Sequence, residues 1–123
     1  METLKEQNLQ INRLSINMED AIKNALECYR VCSTCLQHCL ALGGKHSEHR
    51  HITVMIECAQ VCQIASSFMI ATSDFVHDIA GICARSCDAC ADSCHDIDPE
   101  DPHMVACMVA CRQCADSCRN MEH

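Results

Sequence analysis

The chain is poor in aromatic side chains. Among its 123 residues there is no tryptophan, and the three aromatics are Tyr29, Phe68 and Phe75. An interior of this size normally contains more large apolar side chains. Smaller side chains must therefore fill the core, which leaves room along its axis. The abundant candidate is cysteine, which occurs fourteen times and packs as a small, polarisable hydrophobe.

Positive charge is also scarce. The chain has 9 lysines and arginines against 17 aspartates and glutamates, which gives a net charge of −8 at pH 7. This balance argues against nucleic acid and against an anionic membrane surface as partners. It suits a protein that handles cations.

Several familiar sequence signals are missing. We find no apolar run of the length of a transmembrane helix, and residues 1–8 lack the basic and apolar regions of a secretory signal. We therefore expect a cytoplasmic protein with no membrane partner. The chain also lacks a Ser/His/Asp set, a phosphate loop and a dinucleotide fingerprint, so we expect no enzymatic activity. Its length fits a single domain, 1–123.

The cysteines recur at one spacing. The pattern Cys-x3-Cys-x2-Cys-x3-Cys is formed three times, by Cys28, Cys32, Cys35 and Cys39, by Cys83, Cys87, Cys90 and Cys94, and by Cys107, Cys111, Cys114 and Cys118. A fourth stretch keeps the steps with two changed residues, as Cys58, Cys62, Ala65 and Met69. Steps of four, three and four place side chains within a helical stripe roughly 60° wide. Four such helices predict a bundle lined with thiols.

The pattern predicts an all-α fold. We expect an antiparallel up-down-up-down four-helix bundle over 18–121, preceded by a short N-terminal helix. Residues 1–16 form an amphipathic segment, and Asn17 is a plausible N-cap for the first bundle helix. The four bundle helices are predicted over 18–42, 48–71, 74–95 and 102–121.

Local signals mark the ends of these helices. Gly43 and Gly44 are expected to end the first. Asp101 followed by Pro102 is a typical start for the fourth, because Asp caps the helix and Pro is tolerated at its first position. The loops between helices are short, which favours antiparallel neighbours.

The thiol stripes point to soft metal rather than to disulfides. Neighbouring cysteines on one helix face seldom have disulfide geometry, and the expected compartment is reducing. Thiolates favour Cu(I), Zn(II) or iron–sulfur clusters. The Cys-x2-Cys pairs of structural zinc sites and the cysteine motifs of iron–sulfur clusters normally lie in loops, however. Zinc with four thiolates also leaves a double negative charge in a dry core, whereas one Cu(I) per thiolate is neutral. We predict a capacity on the order of fourteen Cu(I) per chain.

Imidazole and thioether ligands are predicted at one end of the bundle. Extending the stripes brings His51, Met55, His103 and Met104 to the same mouth, and we expect these four to bind metal and to pass it inward to the thiols. The other mouth is predicted to be closed by Met18, Met69, Val76 and Met121. The remaining histidines are expected to be solvated, namely His38, His46, His49, His77, His95 and His123.

The first helix carries a second apolar stripe. It is formed by Ile22, Leu26, Tyr29, Leu36 and Leu40. One inward-facing stripe on each helix is enough to build the bundle. We therefore expect this second stripe to contribute to a homo-oligomer.

Two segments resemble the bacterial cytosolic copper storage proteins. They are 83–94, CARSCDACADSC, and 107–118, CMVACRQCADSC. The resemblance covers about residues 18–121 and implies a cysteine-filled four-helix bundle, usually tetrameric, that holds many Cu(I) ions and admits them near a histidine-bearing end. Relatives carry cysteine where this chain has Ala65 and Met69, and some carry another at Met104. These departures suggest a lower capacity and the same function.

The sequence therefore favours cytoplasmic storage and sequestration of Cu(I). Two other functions stay open at this point. One is a thiol-based redox or electrophile-scavenging protein, and the other is a zinc or cadmium buffer.

Overall fold

The protein is an all-helical bundle. The computed structural model describes the backbone of residues 3–121 and the side chains of residues 3, 4 and 16–121. The described part contains no strand. Its elements are α1 (Leu4–Leu42), a 3₁₀ helix (Gly44–Ser47), α2 (His49–Ile70), α3 (Val76–Ile97) and α4 (Pro102–Arg119).

The first helix is longer than the sequence predicts. A separate N-terminal helix ending before Asn17 is not confirmed, because α1 runs unbroken from Leu4 to Leu42. This stretch contains no glycine or proline. Asparagine inside a helix costs less than about 1 kcal/mol relative to alanine, so its preference for a capping position does not by itself break a helix.

The helix ends follow local chemistry. Gly43 and Gly44 have φ of 68° and 55°, in the left-handed region that glycine adopts without a steric penalty. The Gly43 N–H donates to the Cys39 carbonyl and closes α1. Glu48 caps α2 by accepting hydrogen bonds from two backbone N–H groups of its first turn. Asp101 does the same for α4, with Pro102 at the first helical position.

Each helix packs against its neighbour in the chain, and α4 also packs against α1. The buried side chains at the centre are cysteine, alanine and methionine, with Val76. None of the three aromatics is buried. The scarcity of large side chains therefore corresponds to a narrow interior filled with small groups and sulfur.

By length and composition, α2 is apolar enough to cross a membrane. From the sequence we expect no apolar run long enough to cross a membrane, but α2 meets the criterion because its cysteines, alanines and methionines all count as apolar. In the structure 39% of the relevant window is buried inside the bundle. The buried side chains include Met55, Cys58, Cys62 and Met69, and a core helix of a bundle passes the same test.

Candidate metal centre

A column of sulfur atoms occupies the axis of the bundle. All fourteen cysteines are free thiols, and each is at most 1% exposed. Neighbouring Sγ atoms lie 3.5–4.0 Å apart, both along one helix and between helices. An ion bound at the usual metal–thiolate distance of about 2.3 Å by two such sulfurs would have an S–metal–S angle of about 100–120°. The thiols are therefore spaced for trigonal or tetrahedral coordination without rearrangement.

The thiols form overlapping groups along the column. In each group the Sγ atoms lie within 4.8 Å of one another. One group takes a cysteine from every helix and consists of Cys28, Cys62, Cys87 and Cys114. Others include Cys28, Cys32, Cys58 and Cys111; Cys32, Cys90, Cys107 and Cys111; Cys35, Cys94 and Cys107; and Cys83, Cys114 and Cys118. Because the groups share members, the column is continuous.

Cys28 lies at a point of the column where all four helices contribute sulfur. Its Sγ lies 3.7 Å from Cys32 and from Cys111, 3.9 Å from Cys87 and 4.0 Å from Cys58. It thus contacts sulfur from all four helices, its own included. An ion at this point would link the whole bundle.

Burial opposes ionisation of the Cys39 thiol, which lies at one end of the column. The desolvation of Cys39 raises the pKa of its thiol from 9.0 to about 11. The hydrogen bond to Cys107, with burial, raises the pKa of Cys32. A metal ion that binds such thiols must displace their protons.

One end of the column carries three buried side chains with metal-binding atoms that are not thiols. The Met104 Sδ atom lies 3.5 Å from Cys35 Sγ and 3.6 Å from Cys39 Sγ. His51 is fully buried, with Nε2 at 3.4 Å from Cys39 Sγ and Nδ1 at 2.8 Å from Ser93 Oγ. Burial lowers the pKa of His51, which favours the neutral imidazole that metals bind. Met55 is also fully buried.

His103 is near this end but outside the column. Its side chain is half exposed, and its ring stacks on that of His38 with 3.9 Å between centroids. It also lines a surface pocket of about 130 Å³ whose other residues include Cys35. The structure thus brings His51, Met55 and Met104 together with the thiols, and leaves His103 at the rim.

Two histidines expected to be solvated are held in contacts instead. His46 is buried, with Nε2 at 3.1 Å from Asp98 Oδ2. His38 is partly buried, with Nε2 at 2.8 Å from Asp101 Oδ2. The expectation of solvation is wrong for His46 because the turn at Gly43 folds the 3₁₀ helix back onto the α3–α4 loop. The partner of His46 belongs to the acidic segment 96–101, which is the feature of the sequence that could have indicated a contact with a histidine.

The other histidines are more exposed. His49 and His95 are exposed, as expected. His77 has an exposed side chain whose Nδ1 nevertheless contacts the Met121 carbonyl oxygen. His123 lies outside the described residues.

The opposite end of the column has no cysteine–histidine contact among the described residues. Met69, Val76 and Met121 are buried there, and Met18 is partly buried. A surface pocket of about 350 Å³ at this end is lined by Met18, Val76 and Met121, together with polar residues of the α2–α3 turn. That apolar side chains close this mouth stays a prediction.

Comparisons with known proteins agree with this geometry. A family model described as copper storage protein matches residues 15–123. The crystal structure of the Nmul_A1745 protein of Nitrosospira multiformis is 40% identical, with a TM-score of 0.81 over 88% of this chain and 96% of that one. The Cu(I)-bound copper storage protein BsCsp3 of Bacillus subtilis is 33% identical, with a TM-score of 0.80 over 87% and 99% of the two chains.

A second comparison finds a relative that is also rich in cysteine. A cysteine-rich protein of Bacillus subtilis, YhjQ, is 35% identical over 91 residues, which is 72% of this chain and 81% of the relative. The family match spans nearly the whole of the bundle described above. With its column of buried thiols, the chain belongs to the copper storage protein family.

Proposed function

We propose that this protein stores and sequesters many Cu(I) ions as thiolate complexes inside the bundle. The single observation that carries the proposal is the continuous column of free, buried thiols with 3.5–4.0 Å between neighbouring sulfurs. Membership of the copper storage family and similarity to a Cu(I)-bound relative support it. The description of the family names storage rather than a catalysed reaction, which supports a role as a store.

Charge favours Cu(I) over a divalent ion. A Cu(I) ion bound by one thiolate equivalent adds no net charge to a core that excludes water. Zinc held by four thiolates would leave two negative charges there, and a buried uncompensated charge is costly. Filling at one ion per thiolate therefore leaves the column neutral only if the ions are monovalent. A zinc or cadmium buffer would fill a few separated sites instead.

The proposed ligands are the fourteen cysteines together with four residues at one mouth. Met104 and His51 are supported by their contacts with Cys35 and Cys39, and Met55 by its burial at the same end. We propose His103 as the outermost ligand, because it shares a surface pocket with Cys35. Neutral imidazole and thioether release no proton on binding Cu(I) at neutral pH, so these groups can pass ions to thiols.

The architecture proposed for the store is an antiparallel up-down-up-down bundle that forms a single domain over 1–123. The sulfur contacts support it, because Cys28 lies near Cys58 while Cys39, further along α1, lies near His51, earlier in α2. Opposite chain directions are the simplest explanation of this order.

We also propose that the chain acts in the cytoplasm as a homo-oligomer, as a tetramer if it follows the family resemblance. Free thiols in this number require a reducing compartment. Leu26, Tyr29 and Leu40 leave 36–50% of their surface exposed on α1. Burial of this apolar stripe between subunits would stabilise an assembly.

A redox or scavenging role is less compatible with the site. Reactive cysteines are normally solvent-accessible and have a lowered pKa. Here each thiol is at most 1% exposed, so solvent does not reach it directly. Oxidants and electrophiles would reach such thiols slowly.

An anaerobic titration of the reduced protein with Cu(I) tests the proposal. Copper retained per chain after gel filtration should approach fourteen, on the order of one ion per thiol. Saturation at two equivalents or fewer would contradict storage. A parallel titration with zinc should saturate well below the copper value, and a zinc capacity equal to that of copper would favour the general metal buffer.

A further inference from the structure

Two histidines and two aspartates converge at the rim of the histidine-bearing mouth. They come from three separate segments: His38 from the end of α1, His46 from the 3₁₀ helix, and Asp98 and Asp101 from the α3–α4 loop. The Asp101 Oδ2 atom lies 2.8 Å from His38 Nε2 and 3.8 Å from His46 Nε2, while Asp98 Oδ2 lies 3.1 Å from His46 Nε2. The side chains of the four are between 10% and 27% exposed.

We propose that these four side chains form a site for a divalent cation of the Zn(II) class, separate from the copper store. A tetrahedral zinc ion holds nitrogen and oxygen ligands at about 2.0–2.1 Å, which puts ligand atoms about 3.3 Å apart. The observed separations of 2.8–3.8 Å bracket this value. Small side-chain movements would therefore suffice to admit the ion.

The charges and the ligand types fit the same class of ion. Two neutral imidazoles and two carboxylates bring two negative charges, which a divalent cation neutralises. Imidazole with carboxylate suits zinc and similar divalent metals, whereas Cu(I) prefers the soft sulfur ligands of the column. The site and the store thus differ in both charge and ligand softness.

Both carboxylates are held in position by the backbone. Asp101 Oδ1 accepts hydrogen bonds from the N–H groups of His103 and Met104, which leaves Oδ2 directed at the histidines. Asp98 Oδ1 accepts from the Glu100 N–H, and its Oδ2 contacts His46. Ligands oriented in this way by groups outside the coordination sphere bind metal more tightly. The exposed pair His95 and Asp96, at 3.8 Å, has no such support.

Cobalt(II) is the probe, because it replaces zinc and absorbs visible light. The protein is first loaded with Cu(I) and its copper content measured, so that a failure of storage is seen before cobalt is added. We expect one equivalent of Co(II) per chain, with visible d–d bands and without the intense near-ultraviolet bands of cobalt bound to thiolate. Zn(II) should displace it. If the protein takes up no copper, the spectrum still shows where cobalt binds. Cobalt at the rim gives visible bands alone, whereas cobalt on the thiols also gives the intense near-ultraviolet bands.

Two ligand variants and one matched control decide the assignment. His46→Gln and Asp98→Asn should each weaken Co(II) binding about tenfold or more, while circular dichroism and copper capacity stay unchanged. Asp98→Asn keeps the shape of the side chain, so it reports on the charge even if His46→Gln perturbs the fold. His95→Gln should bind like the parent. Absence of the visible bands, or equal affinity in parent and both ligand variants, would overturn the proposal and leave these contacts as hydrogen bonds only.

Discussion

Removing two thiols from the middle of the column should lower copper capacity by about two ions per chain. The perturbation is the double variant Cys28→Ala/Cys111→Ala. The two Sγ atoms lie 3.7 Å apart, and Cys28 also contacts Cys32, Cys58 and Cys87. If one Cu(I) balances one thiolate charge, capacity falls from on the order of fourteen to on the order of twelve. If four thiols held each ion, the parent would hold only about three.

The same variant should cost little stability in the metal-free state. Each substitution deletes one sulfur atom from a packed core, a change comparable in size to the loss of a methylene, which costs about 0.5–1.5 kcal/mol. The two sites are in contact, so their cavities merge and the costs need not add. A total of about 1–3 kcal/mol corresponds to a fall in Tm of about 4–12 °C for a chain of this length.

The assay is an anaerobic titration in competition with a Cu(I) chelator, followed by gel filtration and metal analysis, with thermal unfolding of the metal-free proteins measured in parallel. The matched control is Ile82→Ala/Val109→Ala on the outer faces of α3 and α4, where the side chains are 45% and 51% exposed. Its copper capacity per chain should equal that of the parent. An unchanged capacity in the cysteine variant would refute the assignment of these thiols as ligands, and a collapse to one or two ions would refute independent, charge-neutral filling.

Three further outcomes are expected. The reduced, metal-free protein should give a strongly helical circular dichroism spectrum, because alanine, methionine and neutral thiols already fill the core; a coil that folds only on adding copper would contradict this. Folding raises the pKa of Cys39 from 9.0 to about 11, so the neutral thiol favours the folded state below pH 9 and this contribution is lost as the pH rises towards 11. The urea midpoint of the metal-free protein should therefore fall over that pH range. In Cys39→Ala the fall should be smaller. His51→Ala/His103→Ala should slow copper transfer from a chelated donor and leave the final capacity nearly unchanged, with exposed His49→Ala as the control; equal rates would remove these residues from the entry route.

A further prediction concerns the homo-oligomer, which we expect to form through the outer surface of α1. The exposed apolar stripe on α1 predicts that sedimentation at micromolar concentration gives a species larger than 13.7 kDa. Leu26→Glu/Leu40→Glu should reduce its mass without changing copper capacity per chain. A parent that sediments only as a monomer would contradict the proposed homo-oligomer.

The helical bundle was predictable because its signals are local or periodic. The spacing of Cys83, Cys87, Cys90 and Cys94 keeps one face of α3 inward, and all four are buried. The N-cap at Asp101 likewise depends on neighbours in the chain. The missed continuity of α1 shows the limit of such signals, since Asn17 is compatible with both a cap and a helix interior.

The mouth of the bundle was only partly predictable. His51 lies on the extended stripe of α2, and its burial follows from the same period. His46 lies on no stripe, because it belongs to a 3₁₀ helix that the sequence pattern does not mark. Its contact with Asp98 joins residues 52 positions apart, and periodicity along one helix carries no information about such a pairing.

The sequence by itself thus determined that four cysteine-bearing helices pack around a sulfur-lined axis, since the step of four, three and four residues leaves one inward face on each. Only the tertiary structure decided which thiols meet, for example Cys28 with Cys111 at 3.7 Å, and that His38 and His46 lie against Asp101. The physical reason is that the heptad period fixes the angular position of a side chain on its helix. The relative height of two helices depends instead on loop geometry and on packing across the interface, which are properties of the folded chain.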